Sequence, residues 1–170
     1  MLRQATVSDA DAIALVEVRA WQAAYQRALG VEFLNELSVP LRATAWTSSL
    51  AAADAITVVA EHEGDVIGVC SVTVQGPVAE IASTCVDPLH WHRGNGRLLL
   101  EGGWERIGER TWEEAHAWLF LHNAMGRAFL ARFGFRMDGT KRVHAASGAE
   151  EVRLRVARTS LAVSHPPLGH

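Results

Sequence analysis

Cysteine is scarce in this chain of 170 residues: there are two, Cys70 and Cys85, each inside an apolar, strand-like run. Buried free thiols are the preferred reading, ahead of a disulfide or a metal pair, and they fit a reducing, cytoplasmic compartment. Long apolar runs are missing as well. None approaches the ~18 residues that span a bilayer, so no membrane partner is expected. The first residues, MLRQATVSDAD, carry no apolar segment of the secretory kind. Basic runs are absent and the formal net charge is -3. That argues against a nucleic-acid partner held through phosphate contacts. Tyrosine occurs once, at Tyr25. What remains is an ordinary globular composition, 49% hydrophobic and 21% charged. One domain with a single core follows, over 1–157, with 158–170 as a proline-containing tail or partner arm. No repeat and no inter-domain linker is visible.

The periodicity divides the chain. Ser8 with Asp11 resembles a capping box, and Leu15, Val18, Trp21 and Tyr25 follow at helical spacing, predicting a helix from about Asp9 to Arg27 that Gly30 ends. A short helix over 31–37 and another from Ser38 to about Ala52 complete the first third. The period then changes to that of strands: 56–60, 66–74 and 78–86, with a turn at Glu63-Gly64-Asp65. A helix from about Asn95 to Arg110 carries Leu100, Trp104 and Ile107 on one face, despite Gly102 and Gly103. Strand 115–121, helix 124–133 and two strands near 135–137 and 151–156 close the order. A mixed α/β sheet is expected.

Between the third strand and its helix lies Val86-Asp87-Pro88-Leu89-His90-Trp91-His92-Arg93-Gly94-Asn95-Gly96-Arg97. Glycines at a helix N-terminus let backbone approach a phosphate and turn the unpaired N–H groups toward it. Arg93 and Arg97 add positive charge. No Gly-Lys-Ser/Thr is present, which argues against a nucleoside-triphosphate P-loop. A pyrophosphate cradle and a plain structural turn both fit these residues alone. His90 and His92 lack a convincing set of further ligands, so no metal is expected.

Here the chain resembles the GNAT superfamily of bacterial N-acetyltransferases. Val86, Pro88, Gly94 and Gly96 fall in register with its Val-x-Pro…Gly-x-Gly signature, and Trp91 stands at the Gln/Arg position. Downstream, Asn123, Phe129 and Gly134-Phe135 match Asn-x-x-Ala-x-x-Phe-Tyr-x-x-x-Gly-Phe, with Gly126 at the Ala position and Leu130 at the Tyr position. The segment Val18–Tyr25 is similar to an acceptor-side helix of a bacterial branch. The resemblance implies a GNAT-like fold: a mostly antiparallel twisted sheet of six to seven strands with about four helices. It implies acetyl-CoA as cosubstrate, held by Val86, Trp91, His92, Arg93, Gly94, Asn95, Gly96, Arg97, Asn123 and Phe129. It implies direct acetyl transfer to a primary amine of a small molecule or peptide. The backbone N–H of Cys85 or Val86 would receive the developing oxyanion. Glu80 would serve as base, against the alternative of a solvated strand-edge carboxylate. Trp21 and Tyr25 would line the acceptor side, against plain core packing. A homodimer is a further implication. Leu130 and Trp91 keep a second reading open, a catalytically degenerate acyl-CoA-binding sensor. A fold that binds another nucleotide is a third.

Overall fold

The computed structural model describes residues 1–108 and 110–161. Its order begins with β1 (Leu2–Gln4), α1 (Ala10–Ala24), α2 (Gln26–Leu29), α3 (Val31–Asn35) and α4 (Val39–Ala51). The middle is β2 (Ala55–His62), β3 (Asp65–Gln75), β4 (Val78–Val86) and α5 (Asn95–Ile107). The end is β5 (Glu114–Phe120), α6 (Ala124–Ala131), β6 (Arg136–Val143) and β7 (Glu150–Ala157). One seven-stranded sheet runs β1-β2-β3-β4-β5-β7-β6. Its pairs are antiparallel except β4 with β5, which are parallel because the chain crosses over through α5. The expected mixed, mostly antiparallel sheet is thus present with seven strands, and two of the six helices are single short turns.

Strand alternation puts two apolar layers on the sheet. Val58, Ala60, Cys70 and Val72 face α5 and α6, together with Leu99, Leu100, Trp104, Ile107 and Leu130. Val59 and Val69 face the other way, toward Ile13 and Ala14 of α1 and Ala43 and Trp46 of α4. The glycines of α5 find their reason here. A Cβ on Gly103 would stand 3.3 Å from Cys70 Sγ, and one on Gly102 would overlap Leu2 Cδ2. The helix therefore packs tightly on β1 and β3, and an alanine at either position would require Leu2 or Cys70 to shift.

Two local expectations need correction. The capping pair is Thr6 with Asp9, not Ser8 with Asp11: Thr6 N–H donates to Asp9 Oδ2 at 2.7 Å. Arg3 decides this, because its guanidinium binds both Asp9 carboxylate oxygens and holds that carboxyl well below the usual range. The predicted single helix to Arg27 instead breaks at Tyr25 (φ -117°, ψ 12°), and α2 begins at Gln26. Gly30 ends α2 with φ +75°. Most of the expected tail, residues 162–170, lies outside the described residues. Arg158–Ser160 form one 3-10 turn, and Leu161 packs against the core.

Gly68 on β3 gives a test of the packing. A Cβ there would meet Leu99 Cδ1 at 2.7 Å and the carbonyl oxygen of Cys85 at 3.1 Å. The second neighbour is backbone and cannot rotate aside. Gly68→Ala is expected to cost about 1–3 kcal/mol, the usual range for overpacking, and to lower the thermal midpoint. An unchanged midpoint would show that β4 and α5 yield easily.

Candidate functional site

The chain turns from β4 into α5 through a compact loop. Asp87, 5% exposed, accepts the Leu89 N–H through Oδ1 at 3.0 Å and thereby caps a 3-10 turn over Pro88–His90. Arg19 of α1 reaches the same carboxylate at 3.2 Å and ties the loop to the N-terminal helix. Trp91 stands in the same loop, with its side chain half-buried. Its indole N–H donates to the Val86 carbonyl at 2.6 Å and pins the loop to the end of β4. Asn95 is likewise tied inward, its Nδ2 donating to the His90 carbonyl at 3.1 Å. His92 (φ +60°) and Gly94 (φ +82°) take left-handed conformations, which swing the chain into the first turn of α5.

The N–H groups of Asn95, Gly96 and Arg97 meet no acceptor among the described residues. They are the unpaired donors of a 13-residue helix, beside its positive dipole end. Arg93 is exposed, and Arg97 pairs with Glu101 at 2.9 Å while 56% of its side chain stays accessible. Phe129 of α6 supports this turn from behind: its ring lies 3.6 Å from where a Gly96 Cβ would be. The two sequence motifs, remote in the chain, meet at that contact.

The strand itself opens beside the loop. β4 and β5 pair only from Val78–Glu114 to Ile81–Ala117. Beyond that point β4 continues on β3 alone and β5 on β7 alone, leaving a gap between Ala82–Val86 and Trp118–Phe120. The hydrogen-bond phase decides which groups face it. Asp87 N–H donates to the Ile67 carbonyl at 2.8 Å, so by antiparallel alternation the Cys85 N–H is also spent on β3. Val86 N–H points into the gap. Of the two N–H groups named from sequence as oxyanion donors, that of Val86 faces the gap and that of Cys85 is paired with β3. The Cys85 side chain packs toward α1, and burial pushes its thiol up to about 12. Glu80 is half-buried on β4, opposite His116 of β5, one residue before the strands part.

On the α1 side, Trp21, Tyr25 and Phe120 form an edge-to-face cluster with centroid distances of 5.0–5.6 Å. Trp21 also lines a cavity of about 120 Å³ with Glu17, Val18, Phe33, Leu37, Arg42, His144 and Ala146. The floor of this cavity was not anticipated from sequence. Glu17 is 4% exposed and fully engaged, with Arg42 Nη2 at 2.6 Å, Arg42 Nε at 2.8 Å and Trp46 Nε1 at 2.9 Å. A signal existed: Glu17 falls between Ile13 and Trp21 on the buried stripe of α1, where a charge requires a partner. His144, on the turn between β6 and β7, had no such signal.

Tyr25 and Asn123 meet directly. Asn123 Nδ2 donates to the Tyr25 hydroxyl oxygen at 2.8 Å, and Asn123 Oδ1 caps α6 by accepting Gly126 N–H at 2.8 Å. Leu130 is 4% exposed, in the core beside Phe133. Among the described residues no group of three His, Cys, Asp or Glu side chains is arranged to hold a metal ion, and no helix is long and apolar enough to cross a membrane.

Residues 15–135 match the model of the acetyltransferase (GNAT) family. No curated protein matches the sequence. Among solved structures, PaiA N-acetyltransferase from Thermoplasma acidophilum in complex with coenzyme A superposes with a TM-score of 0.73 at 16% identity, over 90% of this chain and 96% of that one. The ribosomal-protein-alanine N-acetyltransferase of Brucella melitensis gives 0.68 at 23% identity, over 92% and 99%. The ribosomal-protein-S18-alanine N-acetyltransferase of Escherichia coli gives 0.68 at 16% identity, over 100% and 99%. At these identities the likeness is one of fold.

Proposed function

The chain belongs to the GNAT acetyltransferase family, and from that premise we propose that it moves an acetyl group from acetyl-CoA directly to a primary amine of a small molecule or peptide. The single observation that carries this reading is the junction of an open helix N-terminus with a parted strand pair. The unpaired N–H groups of Asn95, Gly96 and Arg97 offer a seat for the pyrophosphate, with Arg93 and Arg97 supplying charge. The gap between β4 and β5 continues from that seat and accepts the pantetheine arm. One acetyltransferase of the same fold is known in complex with coenzyme A.

The chemistry then needs two groups at the thioester. Val86 N–H faces the gap and stabilises the carbonyl oxygen as it gains charge. Glu80 stands where the strands part and takes the proton of the amine, directly or through water, because an ammonium has no lone pair. The acceptor enters from the α1 side, past Trp21, and its head occupies the cavity above the Glu17–Arg42 pair. At about 120 Å³ that cavity suits the small head of an amine rather than its whole body. Cys85 takes no acyl group in this scheme, since its thiol stays protonated far above neutral pH. The domain comprises residues 1–157, and we place the protein in the cytoplasm.

A second reading, an acyl-CoA sensor without turnover, is favoured by one observation: Leu130 occupies a core position where the family motif has a proton-bearing tyrosine. Two measurements separate the readings. Coenzyme A at about 100-fold over its Kd is expected to stabilise the protein by about 2.7 kcal/mol, read as a raised thermal midpoint. Thiol release from acetyl-CoA is then followed with a panel of small amines and peptides. Stabilisation with turnover supports the transferase. Stabilisation without turnover on any amine supports the sensor. No stabilisation by coenzyme A, with a shift on ATP or NAD instead, sinks both.

A further inference from the structure

Acetyl transfer leaves a thiolate, and a thiolate leaves more readily when a donor meets the sulfur. Leu130 has no proton to offer. The one tyrosine of the chain sits elsewhere, at the break between α1 and α2, with its side chain turned toward the start of α6.

Three features define what that hydroxyl does. Its oxygen accepts from Asn123 Nδ2 at 2.8 Å. The orientation of the amide is not free, because Asn123 Oδ1 is committed to the Gly126 N–H at 2.8 Å and only Nδ2 remains for the tyrosine. The Tyr25 O–H proton is therefore unspent, and it meets no acceptor among the described residues. The hydroxyl stands beside Phe120, the last residue of β5, whose ring centroid is 5.0 Å from that of Tyr25. Phe120 ends β5 beyond the point where it has parted from β4, so the Tyr25 ring stands beside the gap, near enough to Cys85 on the other strand for the two to interact electrostatically. Burial holds the phenol well above its ordinary pKa, Cys85 adds to this, and the bond from Asn123 opposes it. The proton is accordingly present at neutral pH.

Gly126 makes the arrangement possible. A Cβ at that position would lie 2.5 Å from Asn123 Nδ2 and 2.9 Å from Cγ. Where the family pattern has alanine, this chain has the residue that leaves Asn123 room to fold over its own helix turn and reach Tyr25.

We propose that the Tyr25 hydroxyl donates a hydrogen bond to the coenzyme A sulfur as the thioester breaks, taking over from α1 a task that Leu130 on α6 cannot perform. The inference rests on the reading of the gap as the thioester site. In the step, the amine lone pair forms the C–N bond and the C–S bonding pair passes to sulfur. Glu80, having passed the ammonium proton on to solvent before the attack, takes the proton displaced from nitrogen. The thiolate is held by the Tyr25 O–H and is protonated from solvent as coenzyme A leaves. The phenol keeps its proton, because it binds a proton more tightly than a thiolate does.

The binary complex with coenzyme A tests this without knowledge of the acceptor. The thiol of bound coenzyme A is titrated by the ultraviolet absorbance of the thiolate. Cys70 and Cys85 stay silent over the useful range, since burial pushes them up to about 11 and about 12. In the wild type the bound thiol is expected about one unit below the ordinary thiol value of about 8.5. Tyr25→Phe keeps the ring contacts with Trp21 and Phe120, so the titration should rise by about one unit while coenzyme A affinity below pH 7 changes less than about twofold. Gly126→Ala, which displaces the Asn123 amide, should move the titration the same way. A thiol that titrates alike in the wild type and both variants overturns the role of Tyr25 and leaves the coenzyme site standing. A wild-type protein that binds no coenzyme A overturns the site and the inference together.

Discussion

Gly94→Glu is expected to weaken coenzyme A binding by at least about 100-fold, which corresponds to about 2.7 kcal/mol. Gly94 is the N-cap of α5 and holds φ at +82°. Its Cβ direction is open space, so the first side-chain carbon meets no neighbour. The carboxylate then stands at the positive end of the helix, beside the free N–H groups of Asn95, Gly96 and Arg97. It satisfies the donors that the pyrophosphate would use and repels the phosphates at the same time. The left-handed backbone costs a non-glycine residue about 1–2 kcal/mol, so some loss of stability is expected as well. Gly94→Asn separates the two effects, because asparagine tolerates the same backbone and brings no charge. Isothermal titration should find coenzyme A bound to Gly94→Asn within about tenfold of the wild type and undetected on Gly94→Glu, a margin of more than 1.4 kcal/mol between them. Equal affinity for both variants would show that the pyrophosphate does not sit on this helix end.

Glu80→Gln is expected to lower kcat by about 100-fold once an acceptor amine is known, the lower range for loss of a general base. Coenzyme A affinity should change less than about twofold, because residue 80 stands on β4 six positions before Val86, away from the helix end. Glutamine has the same shape and cannot accept the proton at neutral pH. The rate that remains should rise with pH, as a larger fraction of the amine deprotonates in solution without help. A wild-type kcat in Glu80→Gln would remove this carboxylate from the mechanism. His116, its partner across the parallel pair, would then be the next candidate, already held by Glu114 at 2.9 Å.

Much of the molecule was legible from local chemistry. The hairpin turn at Glu63-Gly64 takes positive φ at both residues. Ser38 caps α4 by accepting the Leu41 N–H at 3.4 Å. The Val86–Arg97 segment reads as a glycine-bearing entry to a helix, and it is one. These signals survive because each depends on residues a few positions apart. The errors were also local in origin. Ser8 and Asp11 are as good a capping pair as Thr6 and Asp9 until Arg3, on the neighbouring strand, binds Asp9. The N-terminal helix looked continuous through Tyr25 because its apolar spacing is continuous. Nothing within the segment announces that the tyrosine will be held by a side chain 98 residues away.

The sequence by itself determined the kind of fold: a mixed α/β sheet, a glycine-bearing turn from a central strand into a helix, and a second family motif downstream that meets that turn. Hydrophobic period, glycine positions and caps are properties of short stretches, and a single chain displays them. Tertiary structure alone decided which chemistry each residue is offered. The pairing phase of β4 on β3 turned the Val86 N–H toward the gap and the Cys85 N–H toward β3, because successive N–H groups of a strand point opposite ways. The buried partnership of Glu17 with Arg42, and the bond from Asn123 to Tyr25, arise from helices that the sheet brings together. Such pairings are set by the packing of elements remote in sequence. No stretch of a few residues carries them, because each needs two elements to be packed before the side chains can meet.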